Sequence, residues 1–180
     1  MPAGSFLRAI ALEYQGSPLS AIGSAKRGGR YNPRTEFEIL YLARHPDTVV
    51  REIKLVSRDV DGNEIILPTP PQLLLTVTYH LQCVVDLSSA DGRKQLGVTK
   101  AELLREWTDD VDAGIVPYTH AIGRAARAAG VEAIIVPSAR KRGEPNLAII
   151  IDQLRTGSYV EIHDPRGFGP DVVTRVDGSL

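Results

Sequence analysis

Apolar runs rich in β-branched residues, bounded by Gly, Pro or Asp, constrain this chain more than any other feature. They recur at Phe37 to Ala43, Gln72 to Leu87, Val131 to Pro137 and Asn146 to Ile151, and such runs read as strands. Helical signals are fewer. Thr99-Lys100-Ala101-Glu102 offers a capping pattern ahead of Leu103, Leu104 and Trp107, while Thr119 to Ala129 is Ala-rich and ends at Gly130. Pro46 can open a short helix running to about Glu52. The alternation Val49-Arg51-Ile53-Leu55 also fits a strand, and a short helix leading into a strand is the favoured reading. Strands that do not alternate regularly with long helices argue against a doubly wound sheet. They predict a mixed α+β fold with a curved, largely antiparallel sheet and flanking helices.

A length of 180 residues with 43% hydrophobic content suffices for one domain, residues 1–180, with a core that needs neither disulfides nor metals. Twenty-one Lys and Arg against 22 Asp and Glu leave a formal charge of -1. No global field therefore favours nucleic acid or an anionic membrane as partner, although a locally basic pocket remains open. The single cysteine, Cys83, forms no internal disulfide and fits a reducing compartment. The N-terminus lacks a basic start followed by an apolar stretch, and no segment approaches the ~18 apolar residues of a membrane span. A cytoplasmic protein is expected. The C-terminal residues, Phe168 to Leu180, are expected to be loosely held.

The segment most unusual in composition is Gly23-Ser24-Ala25-Lys26-Arg27-Gly28-Gly29-Arg30-Tyr31-Asn32-Pro33. Paired glycines let backbone N–H groups approach a ligand, and an arginine fork matches phosphate oxygens. A pyrophosphate suits it; a solvated turn in which Arg30 makes a surface ion pair suits it equally. On the following strand, a period of two puts Phe37, Ile39, Tyr41 and Ala43 on one face, so Tyr41 stands among apolar neighbours, as a pocket wall or as core. Glu52 follows Val49 and Val50 and precedes Ile53. In such apolar company its carboxylate needs a partner or a function, or else pairs with Arg44 or Arg51 at the surface.

Further on, Val131 to Pro137 ends at Ser138, followed by the cationic loop Arg140-Lys141-Arg142-Gly143-Glu144-Pro145-Asn146. Ser138 lacks the Gly-x-Ser-x-Gly elbow, so hydrogen bonding is expected of it rather than nucleophilic attack. His80 and Cys83 fall two ligands short of a structural zinc site, and no metal is expected. Absence of G-x-G-x-x-G, a Walker loop and H-E-x-x-H removes support for the familiar dinucleotide fold, nucleotide triphosphatases and zincins.

Taken in series, Gly28-Gly29-Arg30-Tyr31-Asn32-Pro33, Leu40-Tyr41-Leu42-Ala43, Glu52, Val136-Pro137-Ser138-Ala139-Arg140 and Asn146-Leu147 resemble the RES-domain family over roughly Phe6 to Ile151. Two positions depart from it: Tyr31 stands where many relatives carry Trp, and His120 where Gln is common. The resemblance implies a fold similar to ADP-ribosyltransferase toxins and a toxin of a bacterial toxin–antitoxin pair. Its implied partner is an antitoxin with an Xre-like helix-turn-helix, inhibiting by inserting a segment into the cleft. The implied substrate is NAD, with ADP-ribose passed to a protein acceptor, to water or to phosphate. Carried over to this chain, the family's arginine is Arg30, its neighbouring aromatic Tyr31, its strand tyrosine Tyr41, its glutamate Glu52 and its serine Ser138.

Those side chains suit the reaction. Nicotinamide leaves a cationic ring as a neutral molecule, so its departure needs no proton and one carboxylate suffices. Glu52 is expected to bind the nicotinamide ribose and stabilise oxocarbenium-like charge, Arg30 to pair with the pyrophosphate and Tyr31 to position the ribose. Tyr41 is expected to stack on nicotinamide, and Ser138, with Asn146 as a second contact, to hydrogen-bond near the ribose or the amide. A non-catalytic module that binds ADP-ribose or nucleotides through the same loop is the competing class.

Overall fold

A computed structural model describes residues 3–53, 56–58, 60–61 and 63–179. Among them, an eight-stranded sheet runs in the order β10-β9-β5-β1-β2-β8-β7-β6. Its strands are β1 (Ala3–Ala11), β2 (Ile39–Ala43), β5 (Gln72–His80), β6 (Val84–Asp86), β7 (Ala133–Pro137), β8 (Pro145–Ile150), β9 (Tyr159–Ile162) and β10 (Arg175–Asp177). Among the described strands, only the β6–β7 pair is parallel. A separate antiparallel pair joins β3 (Val56–Arg58) to β4 (Glu64–Ile66). The helices are α1 (Ile22–Arg27), α2 (Pro46–Glu52), α3 (Ala90–Gln95), α4 (Lys100–Leu104), α5 (Trp107–Asp112) and α6 (Tyr118–Ala128). The fold is thus mixed α+β with a largely antiparallel sheet, as the strand-dominated pattern predicts. No described helix is long and apolar enough to cross a membrane.

Both faces of the central strands are covered, which explains their continuous apolar sequence. Along β2, Leu40 and Leu42 enter one buried cluster with Phe6, Val77 and Ile149; Ile39 enters the other with Tyr31, Phe37, Ile134 and Ile150. The period of two sorts β8 in the same way, Leu147 and Ile149 to the first cluster, Ala148 and Ile150 to the second. Local cues set the helices that the sequence announces. Pro46 opens α2, and the Thr99 hydroxyl accepts from the Glu102 N–H while the Glu102 carboxylate accepts from the Thr99 N–H, a closed capping box at the start of α4.

β1 is the hinge of the architecture. It pairs with β5 along its whole length, from Ala3↔His80 to Ala11↔Gln72, but meets β2 at one position only, Leu7↔Ala43. Beyond that contact the two strands diverge.

Two expectations are corrected. The run Gln72 to Leu87 is not one strand: it breaks between β5 and β6 where Glu132, fully buried, accepts from the N–H groups of Gln82 at 2.5 Å and Cys83 at 2.6 Å. Its other oxygen accepts from the Arg155 N–H at 2.8 Å. Residues 168–177 are held to the domain rather than loose, because Phe168 packs on the first core cluster and β10 extends the sheet through Arg175↔Glu161 to Asp177↔Tyr159.

Burial opposes ionisation of Glu132, yet its hydrogen bonds from Ser158, Arg155, Cys83 and Gln82 outweigh that and hold its carboxyl below the usual range. Its stabilising contribution is therefore complete above the ordinary glutamate pKa and lost as pH falls through the lowered folded value. Glu132→Gln sets an amide NH2 against backbone donors. Urea denaturation should show a loss of about 3 kcal/mol and a flatter decline of stability in acid; unchanged stability would refute the role.

Candidate active site

The site is built around a turn of two residues. Gly29 and Asn32 exchange backbone hydrogen bonds of 2.8 and 3.3 Å, which places Arg30 and Tyr31 at the tip. The Asn32 amide nitrogen, fully buried, donates to the carbonyls of Ser24 and Phe37 and so staples the turn to α1 and to the approach of β2. From β2, the Tyr41 hydroxyl accepts the Tyr31 N–H and donates to Asn32 Oδ1, both at 2.9 Å. Burial pushes the Tyr41 phenol well above its ordinary pKa, so it remains a neutral donor and acceptor. Only glycine fits at position 29, where a Cβ would stand 2.7 Å from both Asn32 Oδ1 and the Tyr41 hydroxyl.

α6 supports the turn from behind. A Cβ at Gly123 would overlap the Tyr31 carbonyl oxygen, so helix backbone lies directly against turn backbone. One helical turn earlier, His120 Nε2 lies 2.9 Å from the Gly29 carbonyl. A carbonyl can only accept, so that nitrogen carries the proton. Burial lowers the imidazole pKa, which keeps the ring neutral, and the Trp107 ring packs 5.3 Å away.

The two tip side chains have separate environments. Tyr31 is 1% exposed, packed in the second core cluster, and its hydroxyl has no hydrogen-bond partner among the described residues. Arg30 Nη1 donates to the carbonyls of Leu103 at 3.2 Å and Arg105 at 2.5 Å, the chain end of α4 whose carbonyls lack helical partners. Its Nη2 lies 3.9 Å from Glu106. Much of the guanidinium is therefore engaged in holding α4.

Glu52 ends α2. The residue is exposed rather than enclosed by apolar neighbours, because it sits where the helix stops. Its partners are neither Arg44 nor Arg51, the latter pairing with Glu64. Glu52 Oε1 accepts from the Ser138 hydroxyl at 2.8 Å and from the Asn146 amide at 2.7 Å. Ser138 is buried at the end of β7, and its Oγ also accepts from the N–H groups of Arg140 and Lys141, which folds the loop back on itself. An ion pair Lys141–Asp47 at 2.9 Å and a contact of His45 Nε2 with the Glu144 carboxylate at 3.2 Å tie that loop to the start of α2. The Asn146 Oδ1 is buried without a hydrogen-bond partner among the described residues.

Where β1 and β2 diverge, a cleft of about 420 Å³ opens, a size suited to a small-molecule ligand. Tyr31, Tyr41, Glu52 and Asn146 line it, together with Arg8, Arg27, Arg30 and Arg140. Four arginines face one acid in a chain whose formal charge is -1. Ser138 stands behind Glu52 rather than on the wall. A second cleft of about 380 Å³ adjoins the first, sharing Arg27, Gly28 and Trp107, with Val111, Ile115 and Val116 on its far side. Sequence reasoning missed Arg8 and Trp107. A cation inside the otherwise apolar alternation Phe6 to Ile10 marked the first; nothing local marked the second.

Fold and site together define a mixed α+β protein with an arginine-walled cleft and one hydrogen-bonded glutamate at its edge. A family model described as RES domain matches residues 5–168, and the chain belongs to that family. Among solved structures, the chain resembles one in the M. tuberculosis MbcT-MbcA toxin-antitoxin complex, with 19% identity and a TM-score of 0.58 over 82% of this chain and 74% of that one. No curated protein matches the sequence.

The turn account predicts that Tyr41→Phe leaves the buried Tyr31 N–H and Asn32 Oδ1 without their shared partner, a loss of about 1–3 kcal/mol in chemical denaturation. Stability equal to wild type would show that the hydroxyl does not hold the turn.

Proposed function

We propose that the chain is the toxin of a toxin–antitoxin pair and cleaves the nicotinamide–ribose bond of NAD. It passes ADP-ribose to a protein acceptor, to water or to phosphate. Family membership and the likeness to a chain in a toxin-antitoxin complex support the class. The observation that carries the chemistry is Glu52: both of its hydrogen bonds fall on Oε1, leaving Oε2 without a partner among the described residues at the edge of a cationic cleft.

In the reaction, the C1′–N bond breaks and its electron pair neutralises the pyridinium ring, so nicotinamide departs without a proton. Positive charge develops on the ribose, where the Glu52 carboxylate stabilises it. The acceptor then attacks C1′ and loses its proton. Ser138 and Asn146 fix the carboxylate beforehand, which avoids reorganisation as the charge forms. Asn146, on the cleft wall, is a second contact near the ribose hydroxyls or the nicotinamide amide. Tyr41 provides a ring for nicotinamide to stack on, and Arg30 contributes charge toward the pyrophosphate while holding α4. The contribution of Tyr31 to ribose positioning runs through the backbone of its turn, since its phenol is packed in the core. An antitoxin with an Xre-like helix-turn-helix, acting in the cytoplasm, completes the system.

Glu52→Gln keeps an Oε1 acceptor for Ser138 and Asn146 while removing the charge. Nicotinamide release should fall by about 10²-fold or more, with a smaller change in KM. Turnover close to wild type would end the assignment. Incubation with labelled NAD and cell lysate separates the acceptors, because a labelled protein band forms only in transfer to protein. No nicotinamide from the wild-type chain at high concentration would favour the non-catalytic module.

A further inference from the structure

Two of the four cleft arginines share an acid that is not Glu52. Glu106 stands between α4 and α5, next to the wall residue Trp107. Its Oε1 lies 3.9 Å from Arg30 Nη2 and its Oε2 4.0 Å from Arg140 Nη2. Arg30 belongs to the Gly29–Asn32 turn and Arg140 to the loop after β7, so one carboxylate faces cations from two separate parts of the cleft wall.

Both contacts are long. Arg51, Arg105, Arg124 and Arg127 meet their carboxylates at 2.6 Å or less. At 3.9 and 4.0 Å a guanidinium and a carboxylate share charge but no hydrogen bond. Glu106 therefore balances Arg30 and Arg140 without consuming the N–H groups turned toward it. Nor does α5 need the carboxylate: Glu106 is its N-cap residue, yet the side chain accepts no capping hydrogen bond. The Thr108 hydroxyl, at 3.2 Å, is its hydrogen-bond partner among the described residues. With 41% of the side chain exposed, such pairing is weak and easily exchanged.

We infer that Glu106 is the resident counter-ion of Arg30 and Arg140, which the substrate's pyrophosphate displaces, and that it thereby sets the affinity of the cleft for diphosphates. Naming NAD as the source of that pyrophosphate rests on the function proposed above; the exchange of anions itself does not. A pyrophosphate brings more than one negative charge and oxygens that accept directly from guanidinium N–H groups, against a single charge held beyond hydrogen-bond reach, so it prevails. Glu106 then stands near an anion of its own sign and opposes its binding. It is a positioning residue that acts through the two arginines. Its cost falls on binding in the ground state and on the transition state alike, so it governs KM rather than the breaking of the C1′–N bond.

Titration calorimetry with inorganic pyrophosphate and with ADP-ribose, on wild type, Glu106→Gln and Glu106→Ser, tests the inference. Glutamine keeps an acceptor for Thr108, and serine is a favoured N-cap residue; both remove the charge. Each variant should bind both probes about threefold to tenfold more tightly than wild type, and the difference should shrink in high salt. KM for NAD should fall by a similar factor with kcat near wild type. In an Arg140→Gln background the gain should be smaller, because one of the two cations is gone. Damage to the fold does not tighten binding, so the direction of the change separates this role from a structural one; should one variant fail to fold, the other decides. Equal or weaker binding in the folded variants, or no binding of either probe by wild type and variants alike, overturns the inference. Tighter binding without nicotinamide release from any of the proteins keeps the counter-ion and overturns NAD cleavage; release with affinity unchanged does the reverse.

Discussion

Everything at the site depends on β1 meeting β2 at a single residue pair, Leu7↔Ala43. An antiparallel pair that continued in register would bury this edge in ladder hydrogen bonds and leave no space for a ligand. Because the strands part, Arg8 and Tyr41 come to line one cleft, and the groups that close the gap come from elsewhere. The Gly29–Asn32 turn fills one side and the end of α2 the other. The sheet is continuous enough to be rigid and interrupted where chemistry requires access.

The turn and the carboxylate are held by different means suited to their tasks. The turn is locked by neutral, buried hydrogen bonds from Tyr41, Asn32 and His120, with helix backbone packed on it through Gly123. Glu52, at an exposed helix end, is fixed by two donors on one oxygen, and the loop that supplies Ser138 is strapped to the same helix by polar contacts near the surface, Lys141–Asp47 and His45–Glu144. Such surface contacts contribute little stability singly, so here they act mainly by limiting where the loop can sit. A packed wall and a lightly tethered one thus face each other across the cleft.

Much of this was legible in sequence because it is local. Residues Phe37 to Ala43, Val131 to Pro137 and Asn146 to Ile151 carry their own strand pattern, and Thr99 and Glu102 announce α4 within four residues. What was not legible depends on distant partners. Gln72 to Leu87 reads as one strand because nothing in it reports Glu132, some fifty positions away, which breaks it. Arg30 reads equally as a phosphate ligand or as a surface ion-pair partner because Leu103 and Arg105 reach it only in the fold. Glu52 was legible as a residue needing a partner, whereas the identity of that partner, and its position at an exposed helix end, required the strands to be assembled. Arg8 was overlooked since an unpaired charge is visible only once its surroundings are known.

The central claim is that Glu52 and the arginine wall engage one dinucleotide in the cleft between β1 and β2. Its most direct test is a crystal structure of the chain with an uncleavable carbocyclic NAD analogue. The account predicts the nicotinamide-side ring within hydrogen-bond distance of the Glu52 carboxylate, with the pyrophosphate among the cleft arginines. An analogue lying in the adjoining cleft beside Val111 and Val116, or one that leaves Glu52 without contact, would contradict it.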